Sequence, residues 1–284
     1  MITPNQETPQ LAKALGLTVP LYLKREDLHP YGSHKGRSIP YMIEQYAGAG
    51  TSKFAISSSG NAALAATLYI QEYNQKFTES PLSLSIFVGE NINKEKLSRL
   101  RAVIGDHMVT ITQTDKPKQT VHKLNKSGEA KALRQSNDPL ALVGYQSLVE
   151  ELSQISRIEA VFVPTSSGTT AQALADKFPV YVVQTTACHP IAEMFEAGPR
   201  TLAESSIADA IVDRVAIRKK ELVPKLAGAY IATDREIDAA IKLVRETCGI
   251  EISPNASLSV AGLGKALEKG WQVAGKVVCL ITGA

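Results

Sequence analysis

The stretch Gly32-Ser33-His34-Lys35-Gly36-Arg37 sets a lysine between a short strand, predicted over residues 21–24, and a helix predicted over residues 37–46. The positive end of a helix dipole disfavours an ammonium ion, so an amine at this position gains neutral, nucleophilic character. Lysines activated in this way combine with carbonyl compounds. Taken alone, the stretch still fits a solvated lysine at a helix start better, so a reactive Lys35 needs support from elsewhere in the chain.

A serine turn, Ser57-Ser58-Ser59-Gly60-Asn61, follows a strand predicted over residues 53–57 and precedes a helix predicted over residues 62–73. Small residues let backbone N–H groups face a ligand, so this turn can receive a carboxylate or a phosphate. Asn61 would serve as the helix cap and as a side-chain donor. A plain capped turn fits the same residues equally well, and both interpretations stay open.

A hydroxyl turn, Pro164-Thr165-Ser166-Ser167-Gly168-Thr169-Thr170, lies between a strand predicted over residues 160–164 and a helix predicted over residues 169–177. The chain has no G-x-G-x-x-G, and no lysine follows this turn as a Walker loop requires. A single phosphate monoester therefore suits it better than a nucleotide. The alternative is a helix cap rich in serine and threonine, but the density of hydroxyls favours anion binding.

Strand-like runs alternate with helical segments along the chain, which is typical of an α/β protein with largely parallel sheets. Further strands are predicted at residues 82–88, 107–112, 180–184 and 276–281. Further helices are predicted at residues 94–103, 141–153, 234–248 and 256–269. A polar stretch over residues 112–138 indicates a return from one domain to another.

The composition narrows the class of partner. A chain of 284 residues has room for one large or two modest domains. Its 31 basic and 28 acidic residues give a net charge of +3 and are dispersed, so no nucleic-acid partner is expected. The longest uncharged run, residues 54–71, is interrupted by the serine turn, so no membrane span is expected.

Cysteine, histidine and terminal patterns add further expectations. The three cysteines lack disulfide or zinc-ligand spacing and the five histidines lack an i, i+4 pair, so no metal site is predicted. The first ten residues lack the pattern of a signal peptide, which predicts a cytoplasmic protein. The basic run over residues 214–225, with Arg218, Lys219 and Lys220, is interpreted as a solvated helix face.

Other motifs accompany the three turns in a fixed order. They are Thr8-Pro9-Gln10-Leu11, Leu23-Lys24-Arg25-Glu26-Asp27-Leu28, Ser58-Ser59-Gly60-Asn61-Ala62-Ala63, Asp138-Pro139, Gly144-Tyr145, Gly249-Ile250, Ser253-Pro254, Ala256-Ser257 and Ile281-Thr282-Gly283. With them the sequence resembles, over nearly its whole length, the fold-type II pyridoxal-phosphate enzymes. This superfamily contains tryptophan synthase β subunit, cysteine synthase, threonine synthase and the serine/threonine dehydratases. The motifs are most similar to threonine synthase and the dehydratases.

The resemblance implies a role for each turn. Lys35 would bind pyridoxal 5'-phosphate through a Schiff base and then move the Cα proton of the substrate. Asn61 would contact the pyridine hydroxyl, and Thr282 would face the ring nitrogen. The substrate carboxylate would be received by Ser57, Ser58, Ser59 and Gly60, and the phosphate would be held by Ser166, Ser167, Gly168, Thr169 and Thr170. A neutral hydroxyl at the ring nitrogen weakens the electron sink, which suits loss of a β substituent better than transamination.

Two departures from the family's pattern qualify these roles. Gly36 stands where an acidic residue often follows the lysine, and one glycine, Gly168, stands where several usually occur, so hydroxyl donors partly replace backbone access. With the short C-terminus, these departures motivate an alternative of another class, a non-catalytic or regulatory binding module that keeps the cofactor fold.

The expected protein has two domains, each a mainly parallel open sheet flanked by helices, as in tryptophan synthase β. Residues 1–46 and 141–284 would form a large cofactor-binding domain, and residues 47–140 a smaller, mobile α/β domain. The expected reaction is β-elimination or β/γ-replacement on a hydroxy amino acid or its activated ester, with cysteine synthase-like β-replacement as the alternative. The resemblance also implies a small amino-acid substrate and a homodimer.

Overall fold

The computed structural model describes residues 2–196 and 202–283, which alternate between strands and helices. The strands are β1 (Asn5–Glu7), β2 (Leu21–Arg25), β3 (Lys53–Ser57), β4 (Ser83–Gly89), β5 (Val109–Thr114), β6 (Lys131–Ala132), β7 (Ile158–Pro164), β8 (Val180–Thr185), β9 (Gly228–Ala232) and β10 (Lys276–Ile281). The helices are α1 (Pro9–Ala14), α2 (Lys35–Gly48), α3 (Asn61–Lys76), α4 (Lys94–Ala102), α5 (Pro117–Ser127), α6 (Pro139–Gly144), α7 (Gln146–Leu152), α8 (Thr169–Ala175), α9 (Lys219–Leu222), α10 (Asp234–Cys248) and α11 (Pro254–Glu268). The predicted α/β fold class is confirmed.

Contacts between Cα atoms divide the chain into two compact units, Met1–His29 with Tyr145–Ala284 and Pro30–Gly144. We call the first the terminal unit and the second the middle unit. Helix α2 falls within the middle unit, whereas the predicted domain limits assign residues 35–46 to the large domain. The predicted limits of the functional domains stay a prediction.

In the terminal unit, six described strands form one sheet in the order β1-β2-β10-β7-β8-β9. Strand β1 is antiparallel to β2, and the other neighbours are parallel. Apolar side chains are buried on both faces, one packed by α1, α10 and α11 and the other by α7, α8 and α9. A parallel sheet covered on both faces reads as continuous apolar runs, which is why β7 and β10 were recognisable in the sequence.

In the middle unit, four described strands form a parallel sheet in the order β5-β4-β3-β6. Its core combines β3 and β4 with apolar residues of α2, α3 and α4. Strand β6 has two residues and was not predicted, because its pairing with β3 and not a local apolar pattern defines it.

The predicted helix over residues 141–153 is wrong as one continuous element. The chain forms α6 and α7 there, with Tyr145 between them at φ −84° and ψ −1°. At the end of α6, an ideal Cβ on Gly144 would lie 2.7 Å from the Cα of Ser38 and 2.9 Å from the carbonyl oxygen of Arg37. Glycine therefore allows α6 to contact the backbone of α2 directly, a tertiary constraint that helical periodicity does not encode.

At the edge strand β9, side chains bind the outward backbone groups of Ile231. A Glu196 carboxylate oxygen accepts a hydrogen bond from the Ile231 N–H at 2.5 Å, and the Lys265 ammonium donates to the Ile231 carbonyl oxygen, also at 2.5 Å. The carbonyl of the next residue, Ala232, accepts from Thr186 on the β8 side. Both polar groups of Ile231 thus face away from the sheet and are satisfied there.

Within residues 2–196 and 202–283, no helix combines the length and apolar character needed to cross a bilayer.

Candidate active site

The Lys35 amine extends from the first residue of α2, two positions before the predicted helix start. The Ser33 carbonyl accepts from the Gly36 N–H at 2.9 Å, and the Ser33 hydroxyl accepts from the Lys35 N–H at 3.2 Å. Ser33 thereby closes the turn that begins the helix, while the Lys35 side chain stays partly exposed. The structure confirms the position of the lysine at a helix start; its chemical role stays a prediction.

The loop before Lys35 is fixed against α3. Gly32 has a φ of +77°, and an ideal Cβ there would lie 3.0 Å from Cδ2 of Leu64 in the first turn of α3. The Tyr31 hydroxyl donates to a Glu72 carboxylate oxygen at 2.5 Å, and the Tyr31 ring meets the Tyr69 ring edge-on at 6.0 Å between centroids. Burial, followed by this hydrogen bond, raises the pKa of Tyr31, so the tyrosine remains a donor.

The serine turn connects β3 to α3 in the same unit. The N-cap of α3 is Gly60, so Asn61 lies at the first helical position and its predicted role as the cap is wrong. Glycine has no side chain to accept from the first-turn N–H groups, which leaves them suited to an acceptor from a ligand. The Ser58 hydroxyl accepts from the Gly60 N–H at 3.3 Å, and Ser57 and Ser59 are partly exposed.

The hydroxyl turn lies in the terminal unit, after β7. Thr165 anchors it: its N–H donates to Val183 O at 3.0 Å, its hydroxyl donates to Val163 O at 2.8 Å, and its carbonyl accepts from the buried Gln184 amide at 3.1 Å. Gly168, the N-cap of α8, has a φ of +92°, and an ideal Cβ there would lie 3.0 Å from Cδ2 of Leu222. The single glycine of the turn is therefore required by backbone conformation.

The hydroxyls of Ser167 and Thr169 are bonded to each other, and Thr169 also accepts from a buried arginine. Ser166 Oγ accepts from the N–H groups of Val212 and Asp213 at 3.2 and 3.1 Å. Ser167 Oγ and Thr169 Oγ1 are 3.1 Å apart, and Arg218 Nε donates to Thr169 Oγ1 at 3.2 Å. Ser166 and Ser167 are partly exposed, whereas Thr169 and Thr170, the first two residues of α8, are buried.

Arg218 corrects the interpretation of the basic run. Arg218 is 6% exposed, and its guanidinium donates to Thr169 Oγ1 at 3.2 Å and to Gln172 Oε1 at 3.1 Å. The neighbouring Lys220 is exposed, so a solvated face describes only part of the run. A sequence gives no direct signal for a buried arginine, and the apolar residues Val215 and Ile217 between the charges are themselves exposed.

Thr282 follows β10, the strand between β2 and β7, and is 5% exposed. The Ser253 hydroxyl donates to the carbonyl of the next residue, Gly283, at 2.6 Å. Strands β10 and β7 are parallel, with Cys279 opposite Phe162. Their carboxyl ends therefore lie at the same edge of the sheet, which puts Thr282 at the edge where the hydroxyl turn begins.

Each unit thus brings together part of the predicted site. The middle unit contains Lys35 and the serine turn with Asn61, and the terminal unit contains the hydroxyl turn and Thr282. The supporting residues Tyr31, Gln184 and Arg218 were not predicted. Among the described residues, no group of three or more His, Cys, Asp or Glu side chains could hold a metal ion.

Comparison with known proteins identifies the family. Residues 2–283 match the family described as "Pyridoxal-phosphate dependent enzyme". The chain is 25% identical over 309 residues to the threonine synthase of Mycobacterium leprae, a match covering 99% of this chain and 80% of that protein. It is 24% identical over 310 residues to the threonine synthase of Methanocaldococcus jannaschii, covering 99% and 74%. The solved structure of the processed threonine deaminase isoform 2 from Solanum lycopersicum has a TM-score of 0.80 at 21% identity, covering 99% and 83%.

Two mainly parallel sheets flanked by helices, together with this match, define a cofactor-dependent enzyme of fold type II. The chain belongs to the pyridoxal-phosphate dependent enzyme family, because the match covers nearly its full length. The predictions of family, fold class and cofactor are confirmed.

Proposed function

We propose that this chain is a pyridoxal-phosphate dependent lyase that acts on a hydroxy amino acid or its activated ester, with Lys35 as the catalytic residue. The observation that carries the assignment is the middle unit's pairing of a lysine at a helix start with a glycine-capped helix. Gly32 of the lysine loop packs against Leu64 in the first turn of that helix. A basic amine and a carboxylate-binding turn on neighbouring elements are the two parts that amino-acid chemistry needs.

Lys35 has two tasks in this proposal. Its Nζ would hold the cofactor covalently, and the same amine, once free, would take the Cα proton of the substrate and return a proton to the leaving group or product. The turn closed by Ser33 keeps Lys35 at the first position of α2.

The serine turn binds the substrate carboxylate. Gly60 leaves the first-turn N–H groups of α3 without a side-chain cap, and Ser57, Ser58 and Ser59 add hydroxyl donors. Asn61, one residue into the helix, offers its side-chain amide to the pyridine hydroxyl of the cofactor.

The terminal unit's residues fit the remainder of the cofactor. Both acceptor positions of the Ser166 hydroxyl are used by backbone N–H groups, so it can only donate to a ligand, as a phosphate requires. Ser166, Ser167, Gly168, Thr169 and Thr170 would hold the phosphate, and the Thr282 hydroxyl would lie at the ring nitrogen. When bound, pyridoxal phosphate supplies an aldehyde that combines with amines and a ring that accepts the electron pair released at the Cα carbon.

The reaction follows from these parts. Loss of a β substituent from serine or threonine releases ammonia and an oxo acid, whereas entry of a nucleophile gives a new amino acid. The threonine synthases from M. leprae and M. jannaschii and the tomato threonine deaminase represent both outcomes by name. Elimination and β/γ-replacement are therefore both within the proposal, and cysteine synthase-like β-replacement is the alternative substrate chemistry.

The test locates the cofactor and the product separately. Borohydride reduction of the holoenzyme, followed by peptide mass spectrometry, should place the pyridoxyl adduct on Lys35, and Lys35→Ala should lose both the adduct and turnover. Lys53→Ala, an exposed lysine of the same unit, serves as the control. An unchanged adduct in Lys35→Ala would disprove the assignment.

Product analysis then decides the reaction. Serine, threonine, O-acetylserine with sulfide and phosphorylated homoserine with water are compared for oxo acids and for new amino acids. Bound cofactor without turnover across this panel would favour the non-catalytic binding module. A homodimer in the cytoplasm completes the proposal, and light scattering of the purified holoenzyme measures the oligomeric state.

A further inference from the structure

A buried positive charge lies behind the hydroxyl turn. Arg218 is 6% exposed, and the Cβ of Arg218 is 3.5 Å from the position of an ideal Cβ on Gly168. A guanidinium removed from water is retained when its donors are used. Here Nε reaches Thr169 Oγ1 at 3.2 Å and Nη1 reaches Gln172 Oε1 at 3.1 Å.

The arrangement beyond Gln172 orients the arginine. The Gln172 amide donates to a Glu221 carboxylate oxygen at 2.9 Å, so its oxygen is directed to Arg218 and its nitrogen to Glu221. The neutral amide of Gln172 therefore connects the Arg218 guanidinium to the Glu221 carboxylate. The side chain of Arg218 is held with Nε directed at Thr169.

Arginine can only donate, which fixes the direction of the Arg218–Thr169 hydrogen bond, whereas either hydroxyl could donate in the pair of Ser167 and Thr169. A chain in which Arg218 donates to Thr169, Thr169 donates to Ser167, and Ser167 donates outward keeps every bond in one direction and strengthens each by polarisation. Ser167 is partly exposed, so the chain ends at a hydroxyl that a ligand can reach.

The Ser166 hydroxyl can also donate to a ligand, but for a different reason. Its oxygen accepts from the N–H groups of Val212 and Asp213, which uses both lone pairs and leaves the hydroxyl proton to donate. The turn therefore offers two hydroxyls as donors in front of a buried cation. Such a site favours a group with acceptors only, which is a fully ionised phosphate.

We propose that Arg218 is a positioning residue which, acting through Thr169 and Ser167, makes the hydroxyl turn select the phosphate dianion of the cofactor. The inference rests on the proposed role of residues 166–170 as the phosphate site, and it assigns to a charged side chain part of the task that several glycine N–H groups perform elsewhere in the family. Helix α8 has seven residues, so its dipole alone is a weak source of charge stabilisation.

The experiment measures binding and not turnover. Apoenzyme of the full chain is titrated with pyridoxal phosphate and with pyridoxal. The dissociation constant for pyridoxal divided by that for pyridoxal phosphate is a ratio that reports the contribution of the phosphate to binding. Arg218→Met should lower this ratio about 10- to 100-fold, because a hydrogen bond to a charged group and its field are lost, while the affinity for pyridoxal stays unchanged. Arg218→Lys, which retains the charge, should recover part of the ratio.

Two further variants separate this role from a structural one. Lys220→Met removes one positive charge from an exposed position of the same segment and should leave the ratio unchanged. Thr169→Val removes the intermediate hydroxyl without removing the arginine and should lower the ratio, and adding Arg218→Met should lower it little further. If Arg218→Met does not fold, Arg218→Lys decides, because it keeps the charge but loses the Nε–H that is donated to Thr169: a ratio equal to that of the wild type would overturn the role of Arg218.

The outcomes distinguish this inference from the proposed function. A wild-type enzyme that binds pyridoxal and pyridoxal phosphate equally well would remove the phosphate role of the turn and the inference with it. A high wild-type ratio that Arg218→Met or Thr169→Val leaves unchanged would overturn only the role of Arg218. Equal weakening of both ligands would show a general structural effect and would also overturn it.

Discussion

The contact between Gly144 and α2 predicts that Gly144→Ala destabilises the middle unit. The added Cβ would lie 2.7 Å from Ser38 Cα, about 0.7 Å short of the 3.4 Å at which ordinary contact begins, and 2.9 Å from Arg37 O. Both obstacles are backbone atoms, so no side-chain rotation relieves them and α6 must move from α2. Overpacking of this size costs about 1–3 kcal/mol.

Urea unfolding of the apoenzyme, followed by circular dichroism, measures the loss as a lower midpoint at unchanged slope. The matched control is Gly48→Ala at the other end of α2, where an added Cβ meets nothing within 4 Å. That change should be neutral or stabilise by up to about 1 kcal/mol. Because Ser38 follows Lys35 by one helical turn, Gly144→Ala should also weaken cofactor binding. Surface substitutions usually change the free energy of unfolding by less than about 0.5 kcal/mol. A Gly144→Ala enzyme whose free energy of unfolding differs from that of the wild type by no more than this would refute the close contact.

Three other predictions concern charge and accessibility. Lys24→Met should cost roughly 3–5 kcal/mol in urea unfolding, because it removes the fully buried ammonium that forms an ion pair with the Glu151 carboxylate at 2.5 Å. Adding Glu151→Gln to the same chain should recover part of the loss, and full additivity of the two changes would argue against the pair. Hydrogen bonds, first from Lys76, keep the pKa of Glu72 below its ordinary value of 4.5. The resulting stability is present above pH 4.5 and is lost as pH falls through the lowered pKa, so Glu72→Gln should flatten that acid limb of the urea midpoint, and an unaltered limb would contradict it. A thiol reagent should modify the partly exposed Cys248 and spare the buried Cys279, whose pKa burial raises; early labelling of Cys279 under native conditions would be incompatible with its burial.

The fold and the family were predictable because they depend on local patterns repeated many times. Apolar runs at β7 and β10 lie in a sheet covered on both faces, and each is followed by a turn of distinctive composition. Lys35 and the hydroxyl turn could therefore be picked out in order along the chain. The short strands β1 and β6 lacked such a pattern and exist through pairing with β2 and β3.

Two of the errors have tertiary causes, and the third is local. Arg218 was assigned to solvent because its neighbours are basic, but it is buried against Thr169 and Gln172, which are more than 40 residues away in sequence. Asn61 was taken as a cap because asparagine is a good one, whereas Gly60 occupies that position. The separation of α6 from α7 depends on the contact of Gly144 with another helix. A local window of sequence does not encode the contacts of Arg218 and Gly144 with residues that are far away along the chain.

The side-chain bonds to Ile231 have a consequence for behaviour at high concentration. An edge strand with unbound N–H and C=O groups is a template on which a strand of another molecule can add, and this is a common start of aggregation. At β9 the outward pair of Ile231 is already bound by Glu196 and Lys265, so an incoming strand would have to displace a carboxylate and an ammonium ion before it could pair. The edge is thereby protected against intermolecular strand addition without a further strand or helix to cover this point.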